Sequence, residues 1–207
     1  CGTLDPMATG LLMLVVGKAT KLQDKLMCEH KEYAGTLMLG VETSSQDAMG
    51  EIVAEYSVDG VTEQAVREAF DRFDGAFEQI PPMVSAIKKD GVPLYKLARK
   101  GLEAPQKIKR MKISQADVLE ASLPFVSFRV ACSSGTYIRS LAHSLGKRLG
   151  CGAVLTELTR EYSHPFGLDV ARDPADFTAD PTLLPGCVIP VEDALPHWPR
   201  VDLTLEE

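Results

Sequence analysis

A short segment near the start of the chain places a carboxylate in backbone of restricted conformation. Asp5 lies within Gly2-Thr3-Leu4-Asp5-Pro6, small residues follow at 8–10, and the apolar run 11–16 is typical of a buried strand. Because proline disfavours the α region for the residue before it, Asp5 is predicted to sit in a turn at a strand edge. A carboxylate held there can attack an electrophilic carbon or stabilise positive charge. The alternative is a turn aspartate that bonds only its own backbone.

A second polar group occurs at a predicted strand-to-helix junction. The sequence there is Ser133-Ser134-Gly135-Thr136-Tyr137-Ile138-Arg139. Tyr137 and Arg139 are two residues apart, so a phenol and a guanidinium can both project from the first helical turn into a cleft. Arginine can bind a carboxylate with two parallel hydrogen bonds. The alternative is a well-capped helix with a surface arginine.

The third feature is a basic segment on an acidic chain. Between Lys88 and Lys112 there are nine basic residues against Asp90 and Glu103, so this segment carries +7, whereas the whole chain carries −7. Such a segment is a candidate surface for the phosphates of a nucleic acid. The alternative is a solvated, charge-rich surface excursion.

Hydrophobic periodicity predicts the elements that would position these groups. Strands are predicted at 11–16, 33–39, 52–58, 111–119 and 125–132. Helices are predicted at 19–29, from the N-cap Thr62 onward, at 93–101, and from a cap at Ser134 or Thr136 to Gly150. Several strands follow one another without a helix between them, which predicts an α+β fold with a mixed, largely antiparallel central sheet flanked by helices.

Composition excludes several classes of protein. Apolar residues make up 45% and charged residues 25% of the 207 residues, as in a globular protein. No apolar run is long enough to cross a membrane, and no signal peptide is recognisable. The five cysteines are widely spaced, which indicates reduced thiols in a cytosolic protein rather than a metal site. Since the chain starts at Cys1 without Met, further residues are expected upstream.

Several sequence blocks resemble the TruB family of tRNA pseudouridine synthases and occur in that family's order over about residues 1–165. The blocks are Gly2-Thr3-Leu4-Asp5-Pro6-Met7-Ala8-Thr9-Gly10-Leu11-Leu12, Lys31-Glu32-Tyr33, Leu39-Gly40 to Asp47-x-x-Gly50, Ile80-Pro81-Pro82-Met83-x-Ser85-Ala86-Ile87-Lys88, Cys132 to Arg139, and Leu155-x-x-Leu158-x-Arg160. Each block alone is a weak signal, but their order is specific. The resemblance implies the pseudouridine synthase fold.

The resemblance also implies a domain organisation. Residues 1–190 would form the catalytic domain, with residues 80–112 as a basic, thumb-like RNA-binding insertion, and residues 191–207 would be a C-terminal tail leading to an absent or reduced RNA-binding domain. The guide-RNA-dependent relatives of the dyskerin and Cbf5 type share the Asp5 block but lack such an insertion. The chain therefore resembles the stand-alone bacterial enzymes more closely.

Roles for individual residues follow from the same resemblance. Asp5 would act at C1′ of the target uridine, Arg139 would be its ionic partner, and Tyr33 would stack on the base and help to remove the C5 proton. Asp47, Tyr137 and Leu158 would line the substrate pocket. Candidate RNA contacts are Lys21, Lys88, Lys89, Lys96, Arg99 and Arg160. Plain structural roles remain open for four of these residues: Tyr33, Tyr137 and Leu158 as core side chains, and Asp47 as a loop cap.

The activity implied is isomerisation of uridine to pseudouridine at position 55 in the T-loop of tRNA, with base flipping and without a metal or organic cofactor. The expected partner is the tRNA T-arm, and we expect a cytoplasmic monomer with no membrane attachment and no obligate protein partner. Two other functions are considered: an RNA-binding module that remodels tRNA without catalysis, and a guide-dependent synthase acting on ribosomal RNA.

Overall fold

A computed structural model describes residues 1–27, 30–82, 88–89, 92–94, 108–199 and 201. The strands, in chain order, are β1 (Thr9–Gly10), β2 (Lys31–Leu39), β3 (Val41–Thr43), β4 (Ile52–Glu55), β5 (Gly75–Gln79), β6 (Lys88–Lys89), β7 (Val92–Pro93), β8 (Lys109–Ser122), β9 (Phe125–Cys132), β10 (Ala153–Ser163) and β11 (Phe166–Gly167). The α-helices are α1 (Gln23–Met27), α2 (Glu63–Asp71), α3 (Ile138–Leu149), α4 (Pro174–Ala179) and α5 (Leu184–Cys187). Short 3₁₀ helices cover Gly17–Leu22, Leu168–Val170, Pro181–Leu183 and Val191–Asp193.

The central sheet has the strand order β1-β10-β2-β9-β8-β5, with β11 paired to β10 at its end. β1 runs parallel to β10, whereas the other pairs in this sheet are antiparallel. The predicted α+β class with a mixed, largely antiparallel sheet is therefore confirmed. The pairs β3–β4 and β6–β7 form separate two-stranded sheets.

Helices α2 and α3 cover one face of the sheet because each carries an apolar stripe at helical spacing. In α2 the stripe is Val66, Ala69 and Phe70, and the predicted cap is confirmed, since the Thr62 hydroxyl accepts a hydrogen bond from the Ala65 N–H at 3.2 Å. In α3 the stripe contains Ile138, Leu141, Ala142 and Leu145. Each fully buried Leu or Phe contributes about 1.5–3 kcal/mol of transfer free energy, so this layer fixes α3 against the sheet.

The other face of the sheet carries polar side chains. Arg129 of β9 and Glu161 of β10 form an ion pair with a 2.7 Å Nε–Oε2 distance on this face. Successive side chains of a strand point to opposite faces of the sheet, so Val126, Phe128 and Val130 of β9 are buried on the apolar face while the residues between them face the polar side.

Some predicted elements are wrong. Residues 11–16 form no regular strand, and Leu12, Leu14 and Val16 are exposed although Leu11 and Met13 are buried. The predicted helix 19–29 is a 3₁₀ helix followed by the short α1, and residues 28–29 lie outside the described part of the chain.

Other differences concern elements that periodicity did not reveal. Strands β5 and β10 were missed, because β5 has only five residues and the charged residues of β10 break its apolar run. The predicted helix 93–101 lies outside the described residues except for Pro93 and Leu94, and Pro93 belongs to β7. Among the described residues, no helix is long and apolar enough to span a membrane.

Candidate active site

A loop between Gly2 and Leu11 carries Asp5, and both ends of that loop are tied to Arg160. The Arg160 Nε donates to the Leu11 carbonyl oxygen at 2.7 Å, and its Nη2 donates to the Gly2 carbonyl oxygen at 3.0 Å. The Leu11 N–H in turn donates to the Arg160 carbonyl oxygen at 2.9 Å. Within the loop, the Ala8 N–H donates to the Asp5 carbonyl oxygen at 2.9 Å, which closes the predicted turn. Asp5 is thereby held at the edge of the sheet.

The backbone of this loop lies directly against β10. Gly10 has a φ of +96°, and a Cβ atom there would collide with the backbone oxygen of Arg160. Only glycine satisfies both the left-handed conformation and the close approach. The glycine that follows the Asp5 turn is thus part of what positions Asp5.

Asp5 and Arg139 form a two-pronged ion pair. The Arg139 Nε donates to Asp5 Oδ2 at 2.9 Å, and Nη2 donates to Oδ1 at 2.7 Å. The Arg139 side chain is 2% exposed, whereas the Asp5 side chain is 23% exposed. The paired geometry fixes the plane of the carboxylate, and its remaining exposure leaves it open to a reactant.

Asp47 is a second carboxylate beside Arg139. Its Oδ2 lies 3.6 Å from Arg139 Nη1, which also donates to the Ser45 carbonyl oxygen at 3.1 Å. The other oxygen, Oδ1, accepts from the Ser45 hydroxyl at 2.5 Å and from the Met49 N–H at 3.0 Å. Asp47 therefore caps its own loop and also compensates the buried charge of Arg139. A contact between Asp47 and a substrate stays a prediction.

The Asp47 loop is fastened to the sheet next to the Asp5 loop. Asp47 makes an isolated parallel bridge to Leu155 of β10, and the Ala48 N–H donates to the Leu155 carbonyl oxygen at 2.9 Å. Strand β10 thus anchors both loops, through Leu155 at one point and Arg160 at another. Neither contact follows from sequence spacing.

Tyr33 lies in β2 opposite Arg160 in the sheet register and is 8% exposed. Burial raises the pKa of its phenol to about 12, the nearby Cys132 thiol adds to the rise, and Arg160 opposes it through its charge and a hydrogen bond. At neutral pH the phenol is therefore protonated and can both donate and accept a hydrogen bond. Tyr33 is linked to the Asp5 loop through its register partner Arg160, whose guanidinium bonds both ends of that loop.

The remaining pocket candidates lie around the same centre. The Tyr137 ring is half-buried, with its centroid 6.0 Å from Arg139 Cζ. Leu158 is buried in the hydrophobic core, and its carbonyl oxygen accepts from the Thr9 hydroxyl at 3.4 Å. Its placement suits both a core residue and an apolar pocket floor, so the second role stays a prediction.

The candidate RNA contacts have different placements. Lys21 is exposed in the 3₁₀ helix before α1. Lys88 and Lys89 form β6, but their side chains lie outside the described atoms, as do Lys96 and Arg99 entirely. Arg160 is 1% exposed and its guanidinium binds backbone carbonyl groups, so the expectation that it contacts RNA phosphates is wrong for this conformation. A buried guanidinium bonded to the protein has no surface to offer a phosphate.

The predicted cap of α3 is also different. The N-cap is Tyr137 and makes no side-chain cap bond; the Thr136 hydroxyl donates to the Ser133 carbonyl oxygen at 2.8 Å instead. Sequence analysis missed Gln79, whose buried amide receives the Tyr137 N–H at 2.8 Å. A polar residue at an inward-facing position of a strand, with Phe77 two residues before it, is the signal that could have revealed it. Within the described ranges, no group of three or more His, Cys, Asp or Glu side chains is arranged to hold a metal ion.

Comparison with known proteins gives consistent results. Residues 1–138 match the family described as TruB family pseudouridylate synthase (N terminal domain). The chain is 56% identical to tRNA pseudouridine synthase B of Oleidesulfovibrio alaskensis over 204 residues, covering 98% of this chain and 66% of that protein. It is 56% identical to the protein of that name from Nitratidesulfovibrio vulgaris strain Hildenborough over 207 residues, covering 100% of this chain and 68% of that protein.

Two of the solved structures with a similar fold come from multi-component complexes. A chain from a Cbf5-Nop10-Gar1 complex superposes with a TM-score of 0.71 at 28% identity, covering 95% of this chain and 52% of that one. A chain from an H/ACA RNP bound to a substrate RNA containing 2′-deoxyuridine superposes with a TM-score of 0.68 at 25% identity, covering 95% and 51%. The chain thus spans about two thirds of the curated relatives and about half of these structural neighbours.

Proposed function

Because this chain belongs to the TruB family of pseudouridylate synthases, we propose that it isomerises uridine to pseudouridine in the T-loop of tRNA, at position 55. The observation that carries the proposal is the two-pronged Asp5–Arg139 ion pair, with distances of 2.7 and 2.9 Å, beside the buried phenol of Tyr33. The two relatives named above align with nearly the whole length of this chain at 56% identity.

The reaction replaces one bond to the sugar by another. The N1–C1′ bond of uridine breaks, the uracil rotates, a C5–C1′ bond forms, and the proton on C5 leaves while N1 gains one. Asp5 acts at the sugar by one of three routes. It attacks C1′ as a covalent nucleophile, it stabilises positive charge on the sugar, or it promotes formation of a glycal intermediate. The atoms of substrate and product are the same, so no oxidant or reductant takes part.

The surrounding residues have supporting roles. Arg139 holds the Asp5 carboxylate in one plane and compensates its charge. Tyr33, protonated and beside Asp5, stacks on the base and relays the C5 proton. Tyr137, Leu158 and Asp47 line the pocket that receives the base, which must leave the stacked T-loop to reach Asp5.

We also propose the RNA contacts and the setting. The basic segment within residues 80–112 contacts T-arm phosphates, and exposed Lys21 adds a further cation. Residues 1–190 act as the catalytic domain and 191–207 as a tail. The enzyme works in the cytoplasm as a monomer, without a cofactor and without an obligate protein partner.

A guide-dependent activity is the second candidate, because the superposed structures come from H/ACA-type complexes. The higher identity to stand-alone proteins named tRNA pseudouridine synthase B, 56% against 28%, favours the first proposal. A requirement for guide RNA or for protein partners would reverse this preference.

The test is release of tritium from an unmodified tRNA transcript whose uridines carry tritium at C5. We expect release by the parent chain, mapped to the T-loop uridine, and none by Asp5→Asn. Asp74→Asn, which changes an exposed carboxylate away from the site, is the matched control and should match the parent. Release by Asp5→Asn at the parent rate would exclude the role of Asp5.

Absence of release by the parent would have two explanations that a second experiment separates. The same assay on a chain extended upstream would restore activity if further residues complete the site. Continued inactivity with intact tRNA binding would instead identify an RNA-binding module without catalysis.

A further inference from the structure

Gln79 lies at the end of β5, and both the oxygen and the nitrogen of its buried side-chain amide form hydrogen bonds. It is 2% exposed. Its Oε1 accepts from the Tyr137 N–H at 2.8 Å, and its Nε2 donates to the Gly135 carbonyl oxygen at 2.8 Å. The amide therefore spans the turn that precedes Arg139.

This contact satisfies a backbone donor at the start of α3 that has no partner within the helix. The first N–H groups of a helix have no partner within the helix, and usually a side chain of the N-cap residue accepts one of them. The N-cap here is Tyr137, which makes no such bond. Gln79 instead accepts from the N–H of the N-cap residue itself, from a position 58 residues away in sequence, so the start of α3 is fixed by β5.

A second bond joins the same two elements. The Ser140 hydroxyl, in the first turn of α3, lies 3.1 Å from the Ile80 carbonyl oxygen, directly after Gln79, and 3.2 Å from Gln46 Oε1. Ser140 is 3% exposed. Arg139 thus lies between Tyr137 and Ser140, both of which are bound to the end of β5.

We propose that Gln79 is a positioning residue for the reaction: by bonding Tyr137 and Gly135 at once, it sets the start of α3 so that the Arg139 guanidinium meets both oxygens of Asp5. The inference rests on the proposed function. A displacement of the first turn by about 1 Å would spoil the two-pronged geometry, and misplacement of that size can cost on the order of 10²-fold in rate.

The chemistry of the amide gives a sharp test. In Gln79→Glu, a neutral carboxyl group has the same shape as the amide: its C=O accepts from the Tyr137 N–H and its O–H donates to the Gly135 carbonyl oxygen. The ionised form has no donor and would place an oxygen against the Gly135 oxygen. Gln79→Leu removes both bonds at every pH.

Charged groups on the facing elements shift the pKa of the carboxyl group that Gln79→Glu introduces. They do not change the direction in which activity varies with pH. Lys109 of β8 is the register partner of Gln79, and Arg139 lies in the first turn of α3. Both cations favour the ionised form, whereas burial favours the neutral form. In either case the proton is lost as pH rises, so activity falls with rising pH.

The experiment measures single-turnover tritium release and tRNA dissociation constants from pH 5.5 to 8.5. We expect the rate of Gln79→Glu, divided by that of the parent, to fall about tenfold or more with rising pH, and Gln79→Leu to be about 10- to 100-fold slow throughout. The dissociation constants should stay within about twofold of the parent value. Parent-like turnover by Gln79→Leu, or a Gln79→Glu rate ratio that rises with pH, would overturn the proposal.

Ser163→Ala is the matched control for general disturbance of the sheet. Its hydroxyl is buried and has no hydrogen-bond partner among the described residues. This variant should turn over at the parent rate at every pH. A loss equal to that of Gln79→Leu would assign the effect to packing and contradict the positioning role.

Amide exchange separates this inference from the proposed function. Without RNA, the Tyr137 N–H should exchange at least tenfold faster in Gln79→Leu than in the parent. If the parent never turns over tRNA, the proposed function and the positioning role fail together, even where the exchange result confirms the bond. If the parent is active and the Tyr137 exchange rate is unchanged, only the role of Gln79 fails.

Discussion

Arg139 and Arg160 are equally buried, at 1% exposure each, but their guanidinium groups are satisfied in different ways. Arg139 binds the carboxylate of Asp5 and approaches that of Asp47. Arg160 binds the carbonyl oxygens of Gly2 and Leu11 and lies opposite Tyr33. One arginine meets the reactive group directly, and the other holds the loop that carries it.

The difference shows that burial alone does not identify a catalytic arginine. A guanidinium paired with a partly exposed carboxylate can influence chemistry at that carboxylate. A guanidinium paired with carbonyl groups offers rigidity, because each bond restrains backbone. Changing the first should lower both the reaction rate and the stability, whereas changing the second should lower the stability with a much smaller loss of rate.

The largest effect is expected for Arg139→Met, which removes the partner of Asp5 and of the buried Asp47. Breaking a buried pair by removing one partner costs about 3–5 kcal/mol in stability, and loss of the fixed carboxylate should lower the single-turnover rate about 10³-fold. Tritium release and urea unfolding measure the two effects. Arg139→Lys keeps the charge without the planar fork and should lie between Met and the parent.

The next effect concerns Arg160→Met, which leaves the Gly2 and Leu11 carbonyl oxygens without this donor. An unsatisfied buried acceptor costs about 1–3 kcal/mol, so a loss of about 2–5 kcal/mol is expected in urea unfolding. The rate of the folded fraction should fall only about tenfold, through a less ordered Asp5 loop. Arg67→Met is the control, because it changes a half-exposed arginine that pairs with Glu63 and donates to the Val118 carbonyl oxygen; it should cost about 1 kcal/mol. A rate loss for Arg160→Met as large as that for Arg139→Met would remove the distinction.

Gly10→Ala tests the contact between the Asp5 loop and β10 from the loop residue instead of from Arg160. The added methyl group would collide with the Arg160 backbone in a residue whose φ is +96°, so we expect a loss above about 2 kcal/mol. Gly17→Ala is the matched control, because its φ is +59° but no atom lies within 4 Å of the added Cβ; it should cost about 1 kcal/mol. Equal losses of stability for Gly10→Ala and Gly17→Ala in thermal unfolding would mean that the close contact with the Arg160 backbone does not restrict residue 10.

The smallest effect at neutral pH is expected for Tyr33, whose contribution to stability changes only at alkaline pH. The folded-state pKa of Tyr33 is about 12, above the ordinary value of 10.0, so the unfolded chain loses this proton first. The associated stability is fully present below pH 10 and is lost as pH rises towards 12, by about 2–3 kcal/mol. Urea unfolding from pH 9 to 12 should show a shallower decline for Tyr33→Phe. The Cys132 thiol, whose pKa burial raises to about 11, titrates in the same range and itself raises the pKa of Tyr33. Both proteins should therefore also carry Cys132→Ala, so that their difference reports the phenol alone.

Much of the fold was predictable because its main elements carry clear periodicity. Strands β2, β8 and β9 and helices α2 and α3 follow alternating or helical apolar patterns. The run 11–16 was misassigned because apolar content does not reveal whether a neighbouring strand pairs with it. Strand β10 was missed because Glu157, Arg160 and Glu161 interrupt its apolar positions.

The sequence by itself determined the family and the identity of the central pair. Asp5 and Arg139 stand in ordered motifs, and their residue types are suited to a two-pronged ion pair. The turn at Asp5-Pro6 depends on a local backbone preference, which a sequence carries directly.

Only the tertiary structure decided which polar groups surround that pair. Asp5 and Arg139 are 134 residues apart, Arg160 and Leu11 are 149 apart, and Gln79 and Tyr137 are 58 apart. These contacts depend on the order and register of strands in the sheet, which bring β10 beside the Asp5 loop and β5 beside the start of α3. Residue type and local periodicity do not encode that register, so Arg160 resembled a surface cation, and the contact between Gln79 and Tyr137 was evident only once β5 was placed in the sheet.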